Sequence, residues 1–402
     1  MINPARLLGA VEIGTANVTV MIGELAGKPH PTLNLIGVTQ AAAEGVRKGE
    51  IVDFRAVSNV THDAISAAEQ SAGVQLENVF LAISGRHLEG FAKLGSANVS
   101  GSDNTVRRAD IERALLDGKR KELPPGRIYI HHIRNHFRLD GRLEPDPLGR
   151  EGSRLEVGYW SVHAEERKVR DLIHVVNGYG LNVEDIIVSS VASAAVVTPR
   201  EAKQAGALVL DIGAGVTDWV VFRDGVVVRT GVVAVGADHL RNDLALGLRV
   251  NRKHADKLLR EFGTAVPVQG DKEERVWMVG DQMIGDRRIP KASLIRIIQL
   301  RIDELFSIVR KQLGPLAAQE NLSAGVFLTG GVSRLPRVAE LAAERFGVPA
   351  AVAVNPGWVR SDVRGPEFST ALGLLHYASR KEESADVGPQ KLLKRVTRLF
   401  AG

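Results

Sequence analysis

Residues 207–222, ALVLDIGAGVTDWVVF, contain the segment that decides the fold. An apolar run ends at Asp211, a turn of small residues follows, and a second apolar run begins after Asp218. The pattern predicts a β-hairpin whose turn amides can bind a phosphate, because small residues let the backbone approach closely. Asp211 is expected to hold Mg²⁺ indirectly, through water. The turn residues predicted to face the phosphate are Gly213, Ala214, Gly215, Val216 and Thr217.

A second hairpin of the same kind is predicted near the N-terminus. Residues 8–25, LGAVEIGTANVTVMIGEL, run from an apolar strand through an acid, Glu12, to a small turn and alternating apolar residues. Two such hairpins about 200 residues apart predict two related half-domains that face one polyphosphate. Glu12 is therefore a second candidate for indirect contact with Mg²⁺. The turn residues predicted to border the phosphates are Gly14, Thr15, Ala16 and Asn17.

A third glycine-bearing segment is GVFLTGGVSRLP at residues 325–336. Its pattern predicts a strand, a turn through Gly330, Gly331 and Val332, and the start of a helix. The two glycines would let the backbone approach a flat ligand such as adenine. In this order the three segments resemble the phosphate 1, phosphate 2 and adenosine motifs of the actin-like ATPase superfamily. The resemblance implies an α/β actin-like fold with two related halves around a nucleotide cleft.

Composition narrows the class of protein. The 402 residues are enough for two domains with sizeable cores, and there is no cysteine for a disulfide or thiolate metal site. No charge-free apolar run reaches the roughly 18 residues of a membrane span, and no signal peptide is apparent, so we expect a cytoplasmic protein. The basic residues lack interleaved aromatic residues, so no nucleic-acid partner is expected.

Four further segments carry a family resemblance that runs from about Leu8 to Phe400. The segments are VFLAISGRHLEG (79–90), DPLGREGSRLEV (146–157), VASAAVVTPREAKQAGALVLDIGAG (191–215) and GPEFSTALGLL (365–375). Together they resemble FtsA, the bacterial division protein that tethers FtsZ filaments to the membrane. The subdomain inserted in the first half is the discriminating feature, since MreB, sugar kinases and chaperone ATPases differ there.

The resemblance implies a division of the chain into subdomains. The expected order is 1–84 (first-half core, 1A), 85–162 (inserted, 1C), 163–199 (1A continued), 200–236 (second-half core, 2A), 237–316 (2B), 317–364 (2A continued), 365–380 (closing helix of 1A), 381–389 (linker) and 390–402 (basic tail).

The same resemblance implies ATP and Mg²⁺ in the cleft. It adds Gly236, at the turn into a nucleotide-proximal helix, and Asp256, an acid for the ribose and base. The chain departs from the family in three places: Glu12 replaces the usual Asp, and Asn17 and Leu259 replace the usual Lys. We therefore expect at most a slow ATPase, because phosphoryl transfer needs positioned water, metal and cations.

The segment 390–401, QKLLKRVTRLFA, is basic and amphipathic at helical spacing. A helix of this kind lies in an anionic membrane interface, so we expect peripheral binding to the inner face of the cytoplasmic membrane, at the division site. The residues predicted to bind are the apolar Leu392, Leu393, Val396, Leu399 and Phe400 and the basic Lys391, Lys394, Arg395 and Arg398.

Residues 292–313 form a long amphipathic helical pattern with a basic polar side. That side is either a solvated face or, as the family resemblance implies, a site for the acidic and apolar C-terminal peptide of FtsZ. The candidates for this contact are Lys291, Arg296 and Arg301. The resemblance also implies self-assembly into actin-like filaments, and contacts with other division proteins through the inserted subdomain.

Two alternatives remain open at this point. A pilus-assembly adaptor of the PilM type has the same fold but would not be expected to end in a basic amphipathic anchor. A small-molecule kinase of the superfamily needs a catalytic carboxylate beside a sugar pocket, and the sequence indicates none. A division adaptor is the best interpretation of the pattern.

Overall fold

A computed structural model describes residues 6–27, 32–278 and 285–385 of the chain. The strands are β1 (Arg6–Ile13), β2 (Asn17–Ala26), β3 (Thr32–Ala42), β4 (Val46–Arg47), β5 (Glu50–Ile51), β6 (Asn78–Ile83), β7 (Glu89–Asn98), β8 (Arg127–Leu139), β9 (Arg142–Leu143), β10 (Arg154–Glu165), β11 (Asn182–Val188), β12 (Ala207–Ile212), β13 (Thr217–Arg223), β14 (Val226–Val233), β15 (Arg275–Met278), β16 (Arg287–Pro290), β17 (Gly325–Thr329) and β18 (Ala350–Val352). The helices are α1 (Phe54–Ala72), α2 (Arg108–Lys119), α3 (Glu166–Asn177), α4 (Ser189–Val197), α5 (Arg200–Ala205), α6 (Ala237–Leu248), α7 (Arg252–Phe262), α8 (Lys291–Leu313), α9 (Val338–Phe346) and α10 (Ser369–Ala385).

Two five-stranded sheets have the same topology. The first has the order β3-β2-β1-β6-β11 and the second the order β14-β13-β12-β17-β18. In each, an antiparallel meander supplies three strands, and two parallel strands follow on the other side of the first strand. The two halves of the chain are thus built on one plan, and the predicted actin-like architecture is confirmed.

Helices cover these sheets with their apolar faces. Helix α1 packs on β2 and β3 and buries Val57, Ile65 and Ala68. Its ends are fixed by local chemistry: the Asp53 carboxylate accepts a hydrogen bond from the Ala56 N–H at 3.0 Å, and Gly73 adopts a left-handed conformation with φ of 67°. The sequence pattern of this helix is therefore sufficient to specify its ends.

An inserted subdomain lies between β6 and α3. Its sheet has the order β7-β10-β8-β9, and α2 packs on β7 and β10. It has its own small core, made of Val106, Ile111, Ala114, Phe137, Leu139, Leu155, Val157 and Tyr159. The Trp160 indole of β10 donates to the Thr230 hydroxyl of β14 at 2.9 Å, so this subdomain also contacts the second half.

Residues 237–262 form two helices, because Arg249 takes a left-handed φ of 51° and the Asn251 side chain caps α7 by accepting from the His254 N–H. One predicted segment differs from the structure in its bounds. Helix α10 continues to Ala385, five residues into the linker expected from residue 381, since no helix-breaking residue occurs before Gly388.

Helices α4 and α10 cross at an unusually small distance. A Cβ atom added to Gly373 would lie 1.9 Å from the Ala192 carbonyl oxygen, so only glycine fits at the crossing. Around this point the residues of α4 are small, with Ser190, Ser193 and Ala194 buried. The crossing places the start of α10 beside strand β12 of the second half.

Replacing Gly373 by alanine should therefore destabilise the protein. Alanine favours a helix over glycine by about 1 kcal/mol. The free-energy cost of the backbone overlap at this crossing exceeds that gain, since overpacking costs about 1–3 kcal/mol. Thermal unfolding followed by circular dichroism should show a lower midpoint for Gly373→Ala. In the control Gly247→Ala, the new methyl group meets only the flexible end of Ile297, so its midpoint should change little or rise. Equal midpoints for the two variants would contradict the proposed constraint.

Candidate nucleotide-binding cleft

A cleft of about 730 Å³ lies between the two halves. Strands β1 and β12 run toward it, and the turns that follow them form opposite walls. The predicted residues that line it are Glu12, Gly14, Thr15, Ala16, Asn17, Asp211, Gly213, Ala214, Gly215, Val216, Asp256, Gly330, Gly331 and Val332. All three glycine-bearing segments therefore meet at one site.

The two hairpin turns have the same hydrogen-bonding pattern. The Gly14 N–H donates to the Asn17 carbonyl at 2.9 Å, and the Gly213 N–H donates to the Val216 carbonyl at 2.9 Å. In both, the acid of the first strand lies two residues before the turn glycine. Because the residues between these two ends form a tight loop of small side chains, their amides can serve as phosphate donors without steric hindrance.

The walls come into close contact at the mouth of the cleft. The Gly49 N–H, in the β4–β5 turn, donates to the Thr15 hydroxyl at 3.0 Å. A Cβ atom on Gly215 would lie 2.4 Å from that hydroxyl oxygen and 2.9 Å from the Lys48 Cα. Glycine at 215 thus lets a turn of the second half approach two loops of the first.

The turn at Gly330 closes the floor of the cleft. Gly330 has a φ of 79°, and a Cβ atom there would lie 2.4 Å from Asp211 Oδ1. The preceding Thr329 hydroxyl contacts the Ser369 hydroxyl at 2.7 Å. This bond joins strand β17 of the second half to the first residue of α10.

Three carboxylates gather at the cleft floor: Glu12, Asp211 and Asp218. Asp211 accepts a hydrogen bond from Thr370 at 2.9 Å, and Asp218 accepts one from Ser84 at 2.6 Å. Asp211 and Asp218 face each other directly in the β12–β13 register. Glu12 Oε2 and Asp218 Oδ1 are buried and have no hydrogen-bond partner among the described residues.

The environment of these acids opposes their ionisation. Burial raises the pKa of Asp211 to about 6. Burial, with a smaller contribution from the charge of Asp211, raises the pKa of Asp218 to about 8. The pKa of Glu12 lies well above its ordinary value, mainly through burial and then through the charges of Asp211 and Asp218. A bound cation would reverse this effect.

Carboxylate oxygens of this kind suit a hard cation such as Mg²⁺, and the neighbouring acids supply negative charge. Among the described residues, no group of three or more His, Cys, Asp or Glu side chains could hold a metal ion directly, so the set suits contact through water. Bound there, the ion would neutralise phosphate charge during phosphoryl transfer. Asp218 was not among the predicted metal residues, although its position directly across the hairpin from Asp211 is a signal that the sequence contains.

Thr217 and Gly236, which were predicted to bind the nucleotide, do not line the cleft but support the residues that do. The buried Thr217 hydroxyl donates to the Val235 carbonyl at 2.8 Å. At Gly236 an added Cβ atom would lie 2.4 Å from the Gly213 carbonyl oxygen. The next residue, Ala237, donates its N–H to that same oxygen at 3.1 Å. These residues hold the phosphate 2 turn against the start of α6.

Asp256 reaches the cleft but is engaged by two arginines. Arg241 Nε lies 2.5 Å from one of its oxygens, and Arg260 Nε lies 2.7 Å from the other. These charges and hydrogen bonds lower the pKa of Asp256 against the opposing effect of burial. Asp256 is thus held as a carboxylate beside Leu259, which also lines the cleft.

The cations predicted to contact FtsZ lie outside the cleft lining, on or next to the surface of α8. Lys291 pairs with Asp271 at 3.0 Å and Glu274 at 2.6 Å. Arg301 pairs with Asp243 at 2.5 Å and also contacts Glu304. Arg296 is exposed, and its Nη1 lies 3.4 Å from the Gln299 side chain.

The predicted membrane-binding residues, from Lys391 to Phe400, and the end of the predicted linker lie outside the described residues. Within the part of the chain that is described, no helix has the length and apolar character needed to cross a bilayer.

Comparison with known proteins identifies the family. The family model described as "Cell division protein FtsA" matches residues 208–373, and that described as "SHS2 domain inserted in FTSA" matches residues 85–163. The cell division protein FtsA of Neisseria meningitidis is 30% identical over 384 residues, covering 94% of this chain and 91% of that protein. This chain belongs to the FtsA family.

Other members of the family align over nearly the same length. The FtsA protein of Pseudomonas aeruginosa is 29% identical, covering 95% of this chain and 91% of its own. That of Escherichia coli is 26% identical, covering 98% and 94%. Since the second match covers the insertion by itself, the inserted subdomain of this cell division protein is the SHS2 domain that the family carries.

Solved structures with lower identity share the fold. A chain of the PilM–PilN type IV pilus biogenesis complex has a TM-score of 0.60 at 19% identity, with 91% of this chain and 96% of that one covered. MreB5 of Spiroplasma citri bound to ADP has a TM-score of 0.57 at 15% identity, with 95% and 99% covered. These likenesses support the actin-like fold of this family member.

The buried acids predict a pH dependence that can be measured without nucleotide or Mg²⁺. The folded protein holds the Asp218 proton more tightly than the unfolded chain does. The contribution of this proton to stability is therefore complete below the ordinary carboxyl pKa, and it is still being lost as the pH rises from about 6 to about 8. Asp218→Asn should remove a pH-dependent loss on the order of 2 kcal/mol over that window.

Thermal unfolding across this pH range tests the effect. The wild-type midpoint should fall more steeply than that of Asp218→Asn. The variant Asp224→Asn, at an exposed hairpin turn, should keep the wild-type slope. If all three proteins show one slope, Asp218 does not carry the destabilising charge.

Proposed function

We propose that this chain is an ATP-binding adaptor of cell division, which polymerises and tethers FtsZ filaments to the inner face of the cytoplasmic membrane. The observation that carries the nucleotide part is the convergence of three glycine turns and three buried carboxylates on one cleft. Membership of the FtsA family supports the division role. The MreB5 neighbours, bound to ADP and to AMPPNP, support a nucleotide in the cleft.

In this proposal the turns bind the nucleotide and the buried acids bind the metal. The amides of the turns at 13–17 and 212–216 bind the phosphates, and Gly330, Gly331 and Val332 adjoin the adenosine. Glu12, Asp211 and Asp218 would hold Mg²⁺ through water. Turnover is expected to be slow at most, because Asn17 and Leu259 occupy positions where the family usually has Lys.

The tail is expected to attach the protein firmly to the membrane only when the protein assembles. Each of its four cations contributes roughly 1 kcal/mol near an anionic leaflet, and a short helix must also fold as it binds. A single copy therefore binds weakly. Many tails on one filament bind firmly through their effective concentration. A filament-forming neighbour of the fold, the MamK double helical filament, has a TM-score of 0.52 at 10% identity, and it supports the proposal only at the level of architecture.

Membrane recruitment should require both the tail and ATP. Full-length protein should pellet with anionic liposomes when ATP is present, and a 1–388 truncation should stay in the supernatant. Phe400→Ser, on the predicted apolar face, should reduce pelleting, whereas Thr397→Ser should not. Full-length protein that remains in the supernatant under every condition would contradict the tethering role.

FtsZ binding should depend on Arg296, an exposed cation of α8. Lys291 and Arg301 already pair with acids of the same chain, whereas Arg296 is exposed, so Arg296 is the better partner for an acidic peptide. Arg296→Glu should weaken binding of an FtsZ C-terminal peptide several-fold in fluorescence anisotropy, since like charges then face each other. Lys311→Glu, an exposed charge reversal at the far end of the same helix, is the matched control. Equal losses in both variants would indicate general electrostatics instead of a site on this face.

A further inference from the structure

The distribution of charge along the cleft is uneven. Its phosphate end is lined by Glu12, Asp211 and Asp218 and, among the described residues, by no basic side chain. The lining cations are at the other end, and each is paired there. Arg241 and Arg260 bind Asp256, and Arg334 Nε lies 2.7 Å from Glu367.

A triphosphate keeps negative charge after one Mg²⁺ binds, and proteins meet that charge with a basic side chain. Neither hairpin turn, at residues 13–17 or 212–216, contains a basic residue. A compensating cation would have to come from a loop outside the two hairpins.

One loop has this position. The β4–β5 turn passes through Lys48, with φ of 52°, and Gly49, with φ of 73°. The Gly49 N–H is bound to the Thr15 hydroxyl, and the Lys48 backbone lies against Gly215. The loop therefore contacts the phosphate 1 turn and the phosphate 2 turn at once.

The side chain of Lys48 is available for a ligand. It is exposed and forms no ion pair with any described residue, whereas its neighbour Glu50 pairs with Lys168 at 3.0 Å. Burial lowers the pKa of His239, and the positive charge of Lys48 lowers it further. The ammonium group thus acts on the first turn of α6, directly behind the phosphate 2 turn.

We propose that Lys48 is a phosphate-binding residue that contacts the terminal phosphates of ATP and supplies the positive charge that the two hairpin turns lack. This assignment rests on the proposed binding of ATP. Lysine suits the role because it is a flexible point charge that can follow a phosphate. Since the loop contacts both turns, the bound phosphates would also draw the two halves together at the mouth.

The test compares nucleotides of different phosphate number on the full-length protein. ATP, ADP and AMP compete with a fluorescent ATP analogue in the presence of Mg²⁺. Lys48→Asn removes the charge and keeps a residue that tolerates the left-handed backbone. Lys48→Gly, which fits that backbone with least strain, is a second charge-free variant. Lys48→Arg retains the charge, and Arg47→Gln removes the adjacent exposed cation as a control.

The two charge-free variants should bind ATP roughly tenfold more weakly, as expected for the loss of one charge-assisted hydrogen bond. The loss should be smaller for ADP and absent for AMP, and Lys48→Arg and Arg47→Gln should resemble the wild type. Wild-type affinity for ATP in both charge-free variants would overturn the assignment, as would equal losses for all three nucleotides. A wild-type protein that binds none of them would overturn the proposed ATP binding itself, an outcome distinct from a failure at Lys48.

Discussion

The burial of Asp211 and Asp218 side by side is the constraint on which the rest of the molecule depends. Two carboxylates that face each other across one hairpin cannot both ionise without a compensating cation. Each acid accepts a hydrogen bond from the other half of the molecule. Ser84, which follows β6, donates to Asp218, and Thr370, in the first turn of α10, donates to Asp211. The acids thus join the halves at the same place where a metal and a polyphosphate would be held.

This arrangement explains why the close backbone contacts occur where they do. Gly373 brings α10 against α4, and that crossing sets the position of Thr370 beside Asp211. Gly330 lets β17 end against the Asp211 carboxylate, and Gly215 lets the second turn approach Thr15. Each glycine removes a side chain from a point where two backbones or a backbone and an acid must meet. The cleft is therefore formed by close backbone packing around the buried carboxyl groups of Glu12, Asp211 and Asp218.

The inserted subdomain and the surface of α8 are separate from the cleft. They lie outside the wall of the cleft and present their own contacts, such as the bond between Trp160 and Thr230. Because this bond reaches β14, two strands away from the acid-bearing β12, the insertion is connected to the second half through the same sheet that forms the cleft.

The sequence by itself determined the fold class, the two hairpins and the phosphate turns, since strand periodicity and small turn residues are local properties of the chain. Only the tertiary structure decided which neighbouring side chains face the cleft. Asp218 turns toward the acids while Thr217 turns away, and Gly49 lines the cleft from a loop distant in sequence. The hairpin pattern places Asp218 opposite Asp211, but the bond between Ser84 and Asp218 joins residues far apart in the chain, and no local pattern records it.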